Sequence, residues 1–181
     1  MQGQVKVSQV NSGGASFTIG YMGSGDVIGC VAVFRQVPYP ATATAVVEST
    51  ALAWPAAQMT ELMERHPRMT ANALDLVGSR TEDMLRRLRE MATERVTTRV
   101  ARTLLRLHGQ AHGQSGHSAG AGAATSLAVS RQDIAEMAGT DLYSVSRALS
   151  RWRQQGIVDA KRRCVIVLDR RRLASLASEG D

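Results

Sequence analysis

The chain has 181 residues, of which 44% are hydrophobic and 21% are charged, and its formal net charge is +6. That length excludes a large multidomain assembly, and the composition is typical of a globular chain rather than a disordered one. No apolar run is long enough to cross a bilayer and the first residues form no secretory signal, so we expect a cytoplasmic protein without a membrane partner. Its two cysteines, Cys30 and Cys164, are too few for a disulfide framework or an iron–sulfur cluster.

The positive charge is concentrated in the last part of the chain. Residues 1–60 hold two basic and two acidic residues, whereas residues 131–172 hold ten basic and five acidic ones. This distribution favours a polyanionic partner for the last part alone. A solvated arginine-rich surface is the alternative explanation.

Residues 4–54 are predicted to form short antiparallel strands of a sandwich or barrel-like roll. Segments 5–7 and 17–21 alternate with period two on either side of a strong turn signal at 11–14. These strands are too few for a whole roll, so we expect the first one to be left as an unpaired edge. The remaining predicted segments are a second turn at 23–26, an apolar strand at 27–29, and strands at 42–47 and 52–54.

Residues 56–108 are predicted to be helical. Pro55 suits a helix start, and Pro67 suits the first turn of a longer helix that continues to about Ala92. Apolar residues recur along this longer helix in an a/d pattern, which favours a coiled coil of two chains, and an amphipathic helix packed on its own domain is the alternative. A second helix is predicted at 96–107. The predicted dimer seam consists of Leu74, Val77, Thr81, Met84, Leu88 and Met91.

Residues 109–126 lack apolar periodicity and are predicted to be a loop or a flexible insertion. His108 and His112 have the spacing of a shared metal site only if they lie on a helix, which Gly109 and Gly113 disfavour. We therefore expect no metal site here.

Residues 130–158 carry the most informative pattern. Ser130 is predicted to cap a first helix, with Asp133 as the acid of a capping box, and Gly139 is predicted to end that helix. Asp141 is predicted to cap a second helix. Two short helices joined by a glycine-containing turn predict a helix-turn-helix. The buried side of the second helix is predicted to be Val145, Leu149 and Trp152.

The second helix and the segment after it are rich in hydrogen-bond donors that suit DNA bases and phosphates. A basic turn at 161–163 before the apolar segment 164–168 predicts a β-hairpin wing with a cationic tip. A helical hairpin buried in a helical core is the alternative, but it would not expose such donors. The predicted outward residues are Tyr143, Ser144, Ser146, Arg147, Ser150 and Arg151.

The order of these elements resembles the Crp/Fnr family of bacterial transcription regulators over almost the whole chain. The residues that carry the resemblance are 130–135, Gly139, 144–147, Leu149 and 156–158, with 25–29 and 38–43 in the sensor roll. The resemblance implies an α+β fold that begins partway through the roll, because of either a truncated start or a lineage with half a sensor. The implied domains are a partial cyclic-nucleotide-binding-like antiparallel β-roll at 1–66, a long dimerisation helix at 67–94 and a winged helix-turn-helix at 95–181.

The resemblance further implies a homodimeric, sequence-specific transcription regulator that binds double-stranded DNA, with RNA polymerase as a further partner. By resemblance, phosphates are contacted by Arg131, Gln132, Thr140, Asp141 and Ser144, and bases are faced by Leu142, Tyr143 and Arg147. The predicted DNA-binding set is completed by Ser146, Arg151, Lys161 and Arg162.

Several positions depart from the family pattern. Cys30 stands where the family's cyclic-nucleotide pocket has a glutamate, and Pro40 and Ala41 replace the Arg–Ser pair that holds the cyclic phosphate. Because a buried phosphate without a guanidinium is costly, cyclic AMP is disfavoured as the effector. Leu142 and Tyr143 replace the family's usual Arg–Glu readers, so we expect a different DNA half-site. The predicted effector pocket consists of Gly29, Cys30, Pro40, Ala41, Met84 and Leu85.

Two other functions remain as alternatives. A sensor module with secondary or lost DNA binding would respond to a gas through haem, to an anion, or to a thiol-reactive species at Cys30. However, the sequence has no haem motif, and Cys30 is more simply a packed residue of the roll. The sequence shows no Ser–His–acid arrangement, carboxylate pair or phosphate-binding loop, so we do not expect an enzyme.

Overall fold

The computed structural model describes residues 3–113 and 125–178, and this part of the chain forms the predicted α+β fold. Its strands lie in two three-stranded antiparallel sheets, ordered β2-β1-β3 and β4-β6-β5. The strands are β1 (Val5–Val10), β2 (Ser16–Met22), β3 (Thr42–Ala45), β4 (Thr125–Leu127), β5 (Val158–Lys161) and β6 (Cys164–Val167). The helices are α1 (Cys30–Arg35), α2 (Ala56–Arg65), α3 (Pro67–Thr93), α4 (Val96–Gly113), α5 (Arg131–Ala138), α6 (Leu142–Gln154) and α7 (Arg170–Ser178).

Strand β1 is the central strand of the first sheet, so the expectation of an unpaired first edge is wrong. It pairs with β2 on one side and with β3 on the other. The predicted turn between β1 and β2 is confirmed, because the Asn11 side chain accepts hydrogen bonds from the backbone N–H groups of Gly13 and Ala15 at 3.0 and 2.9 Å. In the second predicted turn, the Gly23 N–H donates to the Asp26 carboxylate at 2.8 Å.

Two of the predicted strands do not form. Residues 27–29 lead instead into α1, a helix that the sequence analysis missed. Gly29 has a φ of 85°, and a Cβ atom there would lie 2.2 Å from the Tyr39 ring, so this entry into α1 requires glycine. Leu52 and Trp54 are exposed and lie outside any strand, since no strand in the described part of the chain pairs with them.

Helix α4 is longer than predicted, which makes the loop prediction wrong for residues 109–113 and places His108 and His112 on one helix. An interior glycine costs only about 1 kcal/mol relative to alanine, and the packing of α4 offsets that cost. Leu107 is buried and Ala111 packs against the core, so the helix continues through Gly109.

The far end of the predicted loop also differs from expectation, because Thr125 and Ser126 belong to strand β4. Their pairing with β6 explains this difference. Residues 114–124, which include His117, lie outside the described residues. Within the described residues, no helix is both long enough and apolar enough to span a membrane.

The largest hydrophobic cluster lies in the second half of the chain. Val100, Leu104 and Leu107 of α4 are buried there, and they pack with residues of α5, α6 and the second sheet. Tyr21 of β2 belongs to the same cluster and is only 2% exposed. The first sheet therefore shares its packing with the helix-turn-helix.

Ion pairs join α3 to α4. Glu90 is 3% exposed and accepts a hydrogen bond from Arg106 at 2.8 Å. Arg102 lies 3.1 Å from the carboxylate of Glu94, the residue that ends α3. Arg87 donates to the Ile19 carbonyl of β2, and burial, with the nearby charge of Arg106, lowers the pKa of the Arg87 guanidinium. The last turns of α3 are thus tied to both the first sheet and α4.

Candidate nucleic-acid interface

Helix α5 begins with the predicted capping box. The Ser130 hydroxyl accepts a hydrogen bond from the Asp133 N–H at 3.1 Å, and the Asp133 carboxylate accepts one from the Ser130 N–H at 3.1 Å. Gly139 ends the helix with a φ of 59°, as predicted. These contacts fix both ends of the first helix of the motif.

Helix α6 is capped by Asp141, as predicted. Its carboxylate accepts hydrogen bonds from the Ser144 N–H at 2.8 Å and from the Ser144 hydroxyl at 2.7 Å, and these bonds lower the pKa of Asp141. Val145, Leu149 and Trp152 are buried, which confirms the predicted inner side of this helix. The cap and the buried side together determine which residues of α6 face outward.

The outer side of α6 begins with two exposed residues, Leu142 and Tyr143. One turn later the guanidinium carbon of Arg147 lies over the Tyr143 ring, 5.6 Å from its centroid. Ser150 and Arg151 are also exposed, whereas Ser144 and Ser146 are half-buried. The first turns of α6 therefore present an aromatic ring and a cation side by side.

The predicted wing is present as the hairpin of β5 and β6. Lys161 pairs with Cys164 at its end, so Arg162 and Arg163 form the turn, and all three basic side chains are exposed. Asp159 partly balances them, since its carboxylate lies 3.7 Å from the Lys161 ammonium. The tip itself carries two arginines with no acid between them.

Three further residues predicted to contact phosphates lie on or next to α5. Arg131 and Gln132 are exposed in its first turn, and Thr140 is half-buried in the turn after it. The Gln132 amide donates to the Glu136 carboxylate at 3.2 Å. Arginine and glutamine side chains at a helix start are a usual kind of phosphate contact.

The first sheet packs on the same helix α5, a contact that the sequence analysis missed. The Asp133 carboxylate accepts hydrogen bonds from the Lys6 ammonium at 2.7 Å and from the Tyr21 hydroxyl at 2.8 Å. The Thr18 hydroxyl donates to Glu136 at 2.5 Å. The only sequence signal was the cap role of Asp133, which does not indicate a partner more than a hundred residues away.

The contacts of Asp133 change its ionisation. Burial alone raises its pKa, but the hydrogen bonds from Lys6, Ser130 and Tyr21 outweigh burial, and the pKa falls below the ordinary value. Burial and the neighbouring Asp133 charge raise the pKa of the Tyr21 phenol, which keeps it a proton donor. The carboxylate is therefore charged and the phenol neutral.

The residues of the predicted effector pocket are spread over different surroundings. Cys30 is buried, and its sulfur lies 3.5 Å from a guanidinium nitrogen of Arg80 of α3. Pro40 instead lines an open cavity of about 460 Å³ beside the tip of the β1–β2 hairpin. Met84 and Leu85 are exposed. Arg80 also donates to the Val27 carbonyl at 2.5 Å, so it is a neighbour of Cys30 that the sequence did not predict.

Most residues of the predicted dimer seam are accessible along α3. Leu74, Met84 and Leu88 are 66%, 59% and 57% exposed, Thr81 is exposed and Val77 is half-buried. Met91, at the end of the seam, also approaches the turn of the helix-turn-helix, where a Cβ atom on Gly139 would lie 3.1 Å from the Met91 methyl.

Comparisons with known proteins agree with this architecture. The model of the Crp-like helix-turn-helix domain matches residues 98–176, and the model of the cyclic nucleotide-binding domain matches residues 1–66. A comparison with curated proteins gives no significant match.

Among the solved structures that share the fold are three that are similar over nearly the whole of this chain. One is a transcriptional regulator of the CRP/FNR family from Thermus thermophilus, with 18% identity over 99% of this chain and 86% of that chain, at a TM-score of 0.70. FixK2 from Bradyrhizobium japonicum has 19% identity over 97% of this chain and 83% of that chain, at a TM-score of 0.70. A second regulator from Thermus thermophilus, of the CRP family, has 24% identity over 98% of this chain and 85% of that chain, at a TM-score of 0.69. With both domain models matched in this order, the chain belongs to the Crp/Fnr family of transcriptional regulators.

Proposed function

We propose that this regulator binds double-stranded DNA sequence-specifically as a homodimer, with α6 in the major groove and the β5–β6 turn on the phosphate backbone. The observation that carries the proposal is the exposed pair Tyr143 and Arg147 on a helix whose other side is fully buried. A helix held in this way presents the same side chains to every duplex it meets. The exposed Lys161 and Arg162 would add contacts to phosphates that position α6.

The exposed apolar side of α3 supports the dimer. A row of exposed leucine and methionine side chains is unusual on a monomer and marks an interaction surface. A second copy of α3 would cover Leu74, Met84 and Leu88 in both chains. Two-fold symmetry would then place two copies of α6 about 34 Å apart, which suits a near-palindromic site. We also propose three domains: a partial roll at 1–66, a dimerisation helix at 67–94 and a winged helix-turn-helix at 95–181. By resemblance to the family, RNA polymerase is proposed as a further partner.

The positive charge of the last part of the chain predicts strong dependence on salt. Each phosphate neutralised by a lysine or arginine releases a counterion, so affinity should fall steeply as salt rises. The exposed basic residues concerned are Arg131, Arg151, Lys161 and Arg162.

Selection of bound duplexes from a random pool tests the proposal, followed by titration of a selected and a scrambled duplex at several salt concentrations. Arg147→Ala should reduce the preference for the selected duplex by about 1–3 kcal/mol if Arg147 pairs with a guanine. Arg68→Ala removes an exposed arginine of α3 that lies outside the proposed DNA interface, and it serves as the control. Equal binding of both duplexes by the wild-type protein would show that the chain does not read sequence.

We further propose that the effector is not cyclic AMP. A cyclic phosphate needs a cation, but Pro40 and Ala41 supply none, and Arg80 is already engaged by the Val27 carbonyl and the Cys30 sulfur. Calorimetric titration with cyclic AMP should give no saturable heat, and the affinity for the selected duplex should be unchanged by the nucleotide. A saturable isotherm would contradict this proposal.

A further inference from the structure

The start of α6 combines features that bear on which bases it reads. Tyr143 is 69% exposed, and the Arg147 guanidinium lies over its ring. Leu142, next to Tyr143, is exposed as well. The inference below rests on the proposed function, since it concerns how the same helix recognises DNA.

We propose that Tyr143 is a specificity-determining residue that orients Arg147 toward a guanine and contacts the methyl group of a thymine in the adjacent base pair. The half-site would then contain neighbouring thymine and guanine bases.

The composition of α6 limits which bases it can recognise. This helix contains no acidic residue, so it offers no carboxylate to accept the amino-group proton of cytosine. Its amide side chain, Gln154, is its last residue, far from the exposed first turns. What those turns do offer is a guanidinium, which pairs with the two acceptors of guanine, and apolar surface, which suits the thymine methyl.

The contact between Arg147 and Tyr143 joins these two preferences. A guanidinium that pairs with the guanine edge lies in the plane of that base pair, so its two faces point toward the neighbouring base pairs. The Tyr143 ring centroid lies 5.6 Å from the guanidinium carbon of Arg147. With the guanidinium paired to guanine, a ring at that distance on one of its faces would reach the level of an adjacent base pair, where the thymine methyl projects into the major groove.

The contact with the ring also restrains the arginine before DNA binds. A flexible side chain loses rotamer freedom when it binds, and a ring that already holds the guanidinium reduces that loss. The cap of α6 fixes the backbone around Tyr143, because the Asp141 carboxylate accepts hydrogen bonds from both the N–H and the hydroxyl of Ser144. The ring is thus attached to a fixed helix start rather than to a loop.

Replacing single thymines of the selected duplex by deoxyuridine tests the proposal, because this change removes only the methyl group. The full chain should bind about fourfold more weakly when the thymine next to the guanine is replaced, as expected for one buried methyl group. Tyr143→Ala should bind the two duplexes equally. Tyr143→Phe keeps the ring and should discriminate like the wild type, which separates the ring from its hydroxyl.

Three outcomes would overturn the proposal: enriched sequences without a thymine beside the guanine, no effect of deoxyuridine at any position, or full methyl discrimination by Tyr143→Ala. If the wild type still prefers the selected duplex and Arg147→Ala still loses that preference, the failure concerns Tyr143 alone. If the selection enriches no sequence, the proposed function itself fails. Circular dichroism of each variant confirms that the exposed substitutions leave the helices intact.

Discussion

The hydroxyl of Tyr21 on strand β2 donates a hydrogen bond of 2.8 Å to the carboxylate of Asp133, the residue that completes the cap of α5. The Asp133 side chain thus serves two purposes. It stabilises the start of α5, and it anchors the first sheet to that helix. Lys6 bonds the other carboxylate oxygen at 2.7 Å. A displacement of β1 or β2 would therefore act directly on the start of α5.

Removal of the Tyr21 hydroxyl should destabilise the protein. Tyr21→Phe leaves a buried carboxylate short of one donor, and a hydrogen bond to a charged group contributes about 1.5–3 kcal/mol. We expect a loss of about 2 kcal/mol in the free energy of unfolding, measured by urea denaturation. Tyr143→Phe makes the same change on an exposed ring and should alter stability by less than about 0.5 kcal/mol. Equal stability of the two variants would mean that the contact with Asp133 contributes nothing.

The low pKa of Asp133 predicts a dependence of stability on acid. Its contribution is fully present above the pKa of the unfolded chain, near the ordinary value of 3.8. Protonation of the carboxylate removes that contribution as the pH falls through the lower pKa of the folded protein. Asp133→Asn should lower stability near neutral pH and should make stability fall less steeply in acid. Thermal unfolding measured at a series of pH values from neutral to acid checks both expectations. Asp75→Asn, at an exposed position of α3 outside the dimer seam, should keep the wild-type profile.

Gly139 should tolerate no side chain. Gly139→Ala places a Cβ atom at a φ of 59° and 3.1 Å from the Met91 methyl. The left-handed conformation alone costs about 1–2 kcal/mol for an ordinary residue. In the double variant Gly139→Ala with Met91→Ala, the contact with the Met91 side chain is gone but the left-handed backbone remains. Its unfolding free energy therefore separates the cost of the contact from the cost of the backbone conformation. Gly109→Ala, in the interior of α4 with nothing within 4 Å of the added atom, should instead stabilise the protein. A neutral or stabilising Gly139→Ala would contradict the expected strain.

A charge in the exposed apolar row of α3 should prevent dimer formation. Leu88→Asp would bring two carboxylates together across the proposed two-fold axis in an apolar surface, where each charge is strongly disfavoured. Sedimentation equilibrium should show a monomer, and the affinity for a two-half-site duplex should fall. Asn72→Asp adds the same charge at an exposed position of α3 outside the seam and should remain dimeric. A dimeric Leu88→Asp would place the interface elsewhere.

The helix-turn-helix could be predicted residue by residue, because its determinants are local. Ser130 and Asp141 cap helices through atoms three residues away, and Gly139 meets a backbone requirement of its own position. The buried spacing of Val145, Leu149 and Trp152 likewise follows from the helical period alone. Interactions of this kind are visible in any short stretch of sequence.

The roll was predicted less well, because the pairing of strands depends on which segments meet in space. β1 is a central strand because β3 pairs with the edge of β1 that β2 leaves free. Trp54 lies outside the sheet because no described strand pairs with its segment. Local pattern also misjudged Gly109, whose helix-breaking tendency is outweighed by the packing of α4.

The sequence by itself therefore determined the capped helices, the basic wing and the residues available to meet DNA, since each depends on contacts within a few positions. Only the tertiary structure decided that Arg147 lies over Tyr143, that Met91 reaches Gly139, and that Lys6 and Tyr21 converge on Asp133. The geometry of these contacts depends on side-chain conformation and on how distant segments pack, and no spacing along the chain specifies either.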